Sequence, residues 1–289
     1  MRRNVVSVVI ATLAAGLVGA PACRQAPPVP VAEVVAVAHA AVPLDPLDAA
    51  WQRAPEHVAV LLLQDLVEPR QTLASTPEVR VRALTDGARI GFRLEWADAV
   101  ANDLPGAARF SDACAVQLPS KIEPNVPAPQ MGEPGRPVEI TYWSAAWQAN
   151  VNGRGDSIND LYPNAAIDHY PFQAASLSPD SSAQREMALR YAPARAVGNP
   201  VAGPHASAVQ DLVAEGPGTL APAPPAGSQG LGKRTPAGWA VVIVRRMPDG
   251  LTGPTRSQVA FAVWEGSKQE AGAVKMRTGW IPLAVRGQP

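Results

Sequence analysis

Apolar residues in this chain come in short runs closed off by Gly, Pro, Asp or Asn, and almost nowhere do they repeat with a helical period. Such a pattern cannot build a helical bundle. It demands strands. In Arg89–Trp96, Ile90, Phe92, Leu94 and Trp96 fall on one face while Arg89, Gly91, Arg93 and Glu95 fall on the other, which predicts a half-buried strand. Thr85-Asp86-Gly87 just before it is a hairpin signal. Further strands are predicted at His57–Leu63, Val79–Leu84, Asp112–Leu118, Val138–Trp147, Trp239–Met247, Gln258–Trp264 and Trp280–Val285. The 31 prolines and 23 glycines recur between these runs rather than in one block, as turns between strands require. The expected fold is mainly β, a single β-sandwich with long loops and a few short helices. The stretch from Asn150 to Gly238 is long, polar and rich in turn residues, with only short candidate elements at Glu186–Tyr191 and Val209–Ala214. Loops of that length are uncommon inside a compact domain unless they are functional.

Arg2 and Arg3 precede a charge-free stretch from Val5 to Ala22, the layout of a secretory signal peptide, so residues 1–22 are expected to direct export. An uncleaved membrane anchor is the alternative. Residues 23–43, rich in Ala, Pro and Val, are expected to form a tether, and 44–286 the folded domain. Cys23 follows Ala20-Pro21-Ala22 and is a candidate lipid anchor. With Cys23 removed or acylated, Cys114 is the remaining thiol, so no disulfide, thiolate zinc site or iron–sulfur cluster is expected. Lys+Arg and Asp+Glu balance at 25 each, which gives no reason to expect a nucleic-acid partner. His39, His57, His169 and His205 lack metal-ligand spacing, and neither a Gly-x-Ser-x-Gly elbow nor a His-Glu-x-x-His helix supports hydrolytic chemistry.

An ordered set of motifs carries more. Leu44-Asp45-Pro46-Leu47 with Trp51 comes first, then Phe92-Arg93-Leu94-Glu95-Trp96 with Asp98, and Phe110-Ser111-Asp112 leading to Ala115-Val116-Gln117-Leu118. Met131-Gly132-Glu133-Pro134-Gly135, Tyr142-Trp143, Asp160-Leu161-Tyr162 and Asp168 with Tyr170-Pro171-Phe172 follow. Gly198-Asn199-Pro200, Ala214-Glu215-Gly216, Gly238-Trp239 and Phe261-Ala262-Val263-Trp264 complete the series. In this order the chain resembles the haem b-binding gamma subunits of the type II dimethyl-sulfoxide-reductase family, which includes ethylbenzene dehydrogenase, chlorate and selenate reductases and dimethylsulfide dehydrogenase.

The resemblance implies a cytochrome-domain-like sandwich, haem b as cofactor, and no catalysis by this chain. It implies a periplasmic subunit that passes electrons between the iron–sulfur beta subunit of a molybdopterin enzyme, with its alpha subunit, and a c-type cytochrome or quinone-linked carrier. It also implies a Met and a Lys as axial ligands of the haem iron. Met131 occupies the Met-Gly loop, and Lys275, with Lys268 as the alternative, occupies the segment after Phe261-Ala262-Val263-Trp264. Such a pair suits electron transfer because two protein ligands leave the iron no open position. The competing expectation is an exported carbohydrate- or ligand-binding sandwich module without haem.

Overall fold

The structure is a computed structural model describing residues 33–104, 106, 108–155, 158–164, 181–191, 193–197, 203 and 205–287. Fourteen strands run β1 (Val34–Ala38), β2 (His57–Val60), β3 (Leu62–Leu63), β4 (Glu78–Thr85), β5 (Arg89–Ala97), β6 (Ala113–Pro119) and β7 (Val138–Ser144), then β8 (Val209–Ala214), β9 (Ala221–Pro222), β10 (Gln229–Thr235), β11 (Gly238–Arg246), β12 (Arg256–Trp264), β13 (Met276–Arg277) and β14 (Ile281–Arg286). Short helices lie between β7 and β8: α1 (Ala145–Val151), α2 (Ile158–Leu161), α3 (Ser182–Tyr191) and α4 (Pro193–Ala196).

The hydrogen-bonded order is β10-β11-β5-β4-β1-β14-β12-β6-β7-β8-β9, with β2 on β4 and β13 between β12 and β3. β12 belongs to both layers of the sandwich. Its residues 256–259 pair with β14, while 260–264 turn away to pair with β6. The core between the layers takes Phe92, Leu94 and Trp96 from β5, Cys114, Val116 and Leu118 from β6, and Val259, Phe261 and Val263 from β12. Every second residue of each strand points there, the period of two that the sequence displays. Trp143 and Trp239 lie in this core, with ring centroids 5.2 Å apart. Burial pushes the Cys114 thiol well above its ordinary range, so it packs as a small hydrophobe.

Three expectations change. The proposed tether 23–43 contributes a strand to the middle of the fold: β1 runs parallel to both β4 and β14, with Val34, Val35 and Ala36 buried. The fold therefore begins at least ten residues before Leu44. Arg89–Trp96 is not half-buried but covered on both faces. The segment 42–53 lies over its polar face, where a Cβ on Gly91 would stand 2.3 Å from Val42, and Arg93 donates to the Pro46 carbonyl while pairing with Glu95 at 2.6 Å. Val138–Trp147 is a strand only to Ser144 before α1 begins. Trp51 docks into the structure as expected, on a 3-10 turn whose indole donates to the Asp45 carbonyl at 2.9 Å. The signal-peptide stretch, Cys23, Asp168, His169, Tyr170-Pro171-Phe172 and Gly198-Asn199-Pro200 lie outside the described residues. Among the described residues no helix is long and apolar enough to cross a membrane.

Candidate functional site

On the outer face of the β12-β6-β7-β8 layer lies a cavity of about 970 Å³, at the upper end of the range for small-molecule sites. Its floor is made by residues that alternate with the inter-sheet core: Ala115 of β6, Ile140 and Tyr142 of β7, Leu212 of β8, and Ala260 and Ala262 of β12. An exposed sheet face normally carries polar side chains. Here it is apolar, and three of its floor residues are alanines, which leave room above the sheet for a ligand. The Tyr142 ring meets Trp264 and Trp147 edge-on, at 5.2 and 5.3 Å, and burial pushes its phenol pKa up. It serves as wall rather than as an acid.

Met131 enters the cavity lining from the loop between β6 and β7. Its backbone is left-handed, φ 66°, which is strained for a side chain with a Cβ and costs roughly 1–2 kcal/mol. The surroundings impose it. The Gly216 N–H donates to the Met131 carbonyl at 2.8 Å, and the Gly132 N–H to the Ala128 carbonyl at 2.9 Å. Upstream, Gln117 donates to the Pro129 carbonyl at 2.9 Å and the Trp280 indole to that of Pro127 at 2.6 Å. Gly132 is required there: its φ is 81°, and a Cβ would lie 2.9 Å from the carbonyl oxygens of Ala214 and Arg136. Gly132→Ala is expected to cost roughly 1–3 kcal/mol and to loosen the Met131 loop. A urea midpoint equal to that of the parent protein would contradict this.

Lys275 reaches the same cavity from the segment between β12 and β13. That segment is pinned at three points: the Trp264 indole donates to Gly272 O at 3.1 Å, the Gln64 side chain to Ala273 O at 3.1 Å, and the Gln64 N–H to Lys275 O at 3.2 Å. The Lys275 amine stands 5.1 Å from the centre of the Trp264 ring, and among the described residues no carboxylate pairs with it. Burial, with the Arg277 guanidinium adding to it, lowers its pKa from 10.5 to about 8. At pH 7 about a tenth of the amine is then uncharged, against well under a thousandth for an ordinary lysine. Lys268 ends a 3-10 turn over Gly266–Lys268, is exposed, and does not line the cavity. Of the two lysines only Lys275 shares the cavity with Met131.

The floor alanines and two cations of the cavity wall, Arg109 and Arg277, were not singled out from the sequence. The alanines did leave a signal there, the small residue at every second position of Ala113-Cys114-Ala115 and Ala260-Phe261-Ala262. Trp264 belongs to the site, whereas Trp143 and Trp239 belong to the core. Tyr162 stacks under Arg109 at 5.4 Å, at the edge of the site. His205 stacks on Trp147 at 4.3 Å.

Fold and cavity together define a ligand-binding β-sandwich with a thioether and an unpaired amine among its lining groups. A family model described as ethylbenzene dehydrogenase matches residues 48–275, and the chain belongs to that family. A protein of Haloferax mediterranei described as a respiratory nitrate reductase heme subunit is 31% identical over 123 residues, 42% of this chain and 43% of that protein. The match thus spans under half the length of that relative. Two solved structures of a carbohydrate binding module family 9 protein from Caldicellulosiruptor kristjanssonii, bound to cellotriose and to glucose, superpose with TM-scores of 0.46 and 0.42. Both are 9% identical and cover 89% and 88% of this chain, and 94% and 97% of their own.

Proposed function

We propose that this chain is a periplasmic b-type cytochrome subunit in which Met131 and Lys275 are the axial ligands of a haem iron. It passes electrons between the iron–sulfur subunit of a molybdopterin oxidoreductase and an external carrier, either a c-type cytochrome or a quinone-linked one. The observation that carries this is that Met131 and Lys275 line one cavity with an apolar floor. The donor set fits the group. Met offers a neutral soft sulfur that favours ferrous iron, and Lys275 offers an amine that burial has already brought toward its ligating, uncharged form. When bound, haem supplies a one-electron ferric/ferrous couple.

The chain's own residues fix the conditions for that couple. The pinned loops hold the two donors, and the apolar floor offers the porphyrin a face without hydrogen-bonding groups. Export through the amino-terminal segment, with retention by a lipid at Cys23 or by an uncleaved anchor, belongs to the same proposal.

Protein purified after expression with haem supply is expected to show a Soret band and, once reduced, the sharp visible bands of a six-coordinate low-spin b-type cytochrome. A protein that stays colourless, or whose haem is high-spin with one open position, overturns the proposal. The colourless outcome would leave the ligand-binding module without haem as the surviving alternative.

A further inference from the structure

Arg277 follows Met276, which is buried in the inter-sheet core, so its side chain turns to the opposite face and lines the cavity. Its side chain is only 13% exposed. For so buried a guanidinium it is poorly satisfied. Asp65, its nearest carboxylate, is 3.9 Å away and 64% exposed, and Nη1 reaches the Thr278 carbonyl only at 3.4 Å. Nε is buried and has no hydrogen-bond partner. A desolvated cation so weakly paired is costly, and the cost falls when an anion of matching geometry docks on it. Arg presents a planar fork of N–H donors, which is the complement of a carboxylate.

We propose that Arg277 binds a carboxylate of the ligand in this cavity, one propionate of the haem, through charge-assisted hydrogen bonds from its guanidinium. The inference rests on the cytochrome assignment above and adds the residue that orients the porphyrin in its plane, a role that neither axial donor can perform. Arg109 lines the same cavity without a carboxylate partner among the described residues, but its guanidinium lies against Tyr162, so the assignment is confined to Arg277.

The test compares binding of haem b and of its dimethyl ester, in which both propionates are capped and uncharged, to the haem-free parent, Arg277→Gln and Arg277→Lys proteins. Absorbance titration gives the affinities, and thermal melts establish that each protein is folded. The parent is expected to prefer free-acid haem about tenfold or more, Arg277→Gln to bind both forms alike, and Arg277→Lys to fall between. Equal affinity of the parent for acid and ester overturns the inference while leaving the cytochrome assignment intact, as does an undiminished preference in Arg277→Gln. A parent that binds neither form overturns the assignment and the inference together. Should Arg277→Gln fail to fold, the parent's acid-to-ester ratio and the lysine variant still decide.

Discussion

Lys275→Ala is expected to turn the ferric protein from six-coordinate low-spin to five-coordinate high-spin and to weaken haem binding by at least about tenfold, about 1.4 kcal/mol. Alanine leaves an iron facing Met131 with its second axial position open, and no other lysine lines the cavity to fill it. Lys268→Ala is the matched control and should leave the spectrum unchanged, because Lys268 is exposed outside the cavity. The haem-free protein should respond in the opposite sense. With its pKa lowered from 10.5 to about 8, Lys275 holds fewer protons in the folded than in the unfolded chain between those values. Stability of the haem-free parent therefore gains a rising component from about pH 8 to pH 10.5, which the alanine variant lacks. Below pH 8 the parent carries the cost of a buried charge near Arg277, and the variant does not. The position would thus weaken the empty protein in order to ligate in the loaded one. A low-spin spectrum surviving in Lys275→Ala removes this lysine from the iron.

The strands that alternate, or are apolar runs closed by turn residues, were legible in the sequence. β5 falls where the period of two places it, and β11 and β12, continuously apolar over 239–244 and 259–264, were marked out by the Pro- and Gly-containing loop between them. β1 was not legible: Val34-Val35-Ala36-Val37-Ala38 is apolar throughout, as a central parallel strand flanked on both sides must be, and in sequence such a run looks like an Ala- and Val-rich linker. β10 hid for another reason. Its Gly230 and Gly232 make room for Val209 and Trp143, to which a Cβ would come within 2.2 Å, and a glycine pair of that kind otherwise signals a turn. Met131 and the late lysine were identified through family resemblance, since a methionine in a Pro- and Gly-rich loop is ordinarily a gap-filler. The sequence order favoured Lys275 over Lys268 as the candidate, and the fold shows which of the two lines the cavity. Both follow Trp264, but the turn at Gly266 sends the first to solvent, and the pinned segment after Gly272 brings the second to the cavity.

Asp112→Ala is expected to destabilise the fold by about 3–5 kcal/mol. The Asp112 carboxylate accepts the Asn102 N–H at 2.7 Å, the Gly266 N–H at 2.9 Å and the Trp239 indole N–H at 3.0 Å. Alanine would leave three buried donors without an acceptor, each costing about 1–3 kcal/mol before relaxation. These bonds tie the loop after β5, the indole of β11 and the start of the segment that carries Lys275. Gly266 must be glycine for this approach, since a Cβ there would stand 2.2 Å from the Phe110 carbonyl. Burial, opposed by those three donors and reinforced by Asp98, raises the Asp112 pKa from 3.8 to about 7. The folded protein then holds a proton that the unfolded chain has released between those values, so this group's contribution is full below about pH 4 and is lost as pH climbs to 7. Burial sets the direction and the nearby Asp98 charge adds to it: Asp98, Asp112 and Glu265 bring carboxylate oxygens within 4.8 Å of one another, and the Arg234 guanidinium approaches Asp98 only to 3.7 Å. The gap between parent and Asp112→Ala should accordingly be wider at pH 5 than at pH 8. Urea melts at the two values measure it, and a gap that widens toward pH 8 would show that Asp112 remains a carboxylate throughout, held ionised by its three donors against the pull of burial.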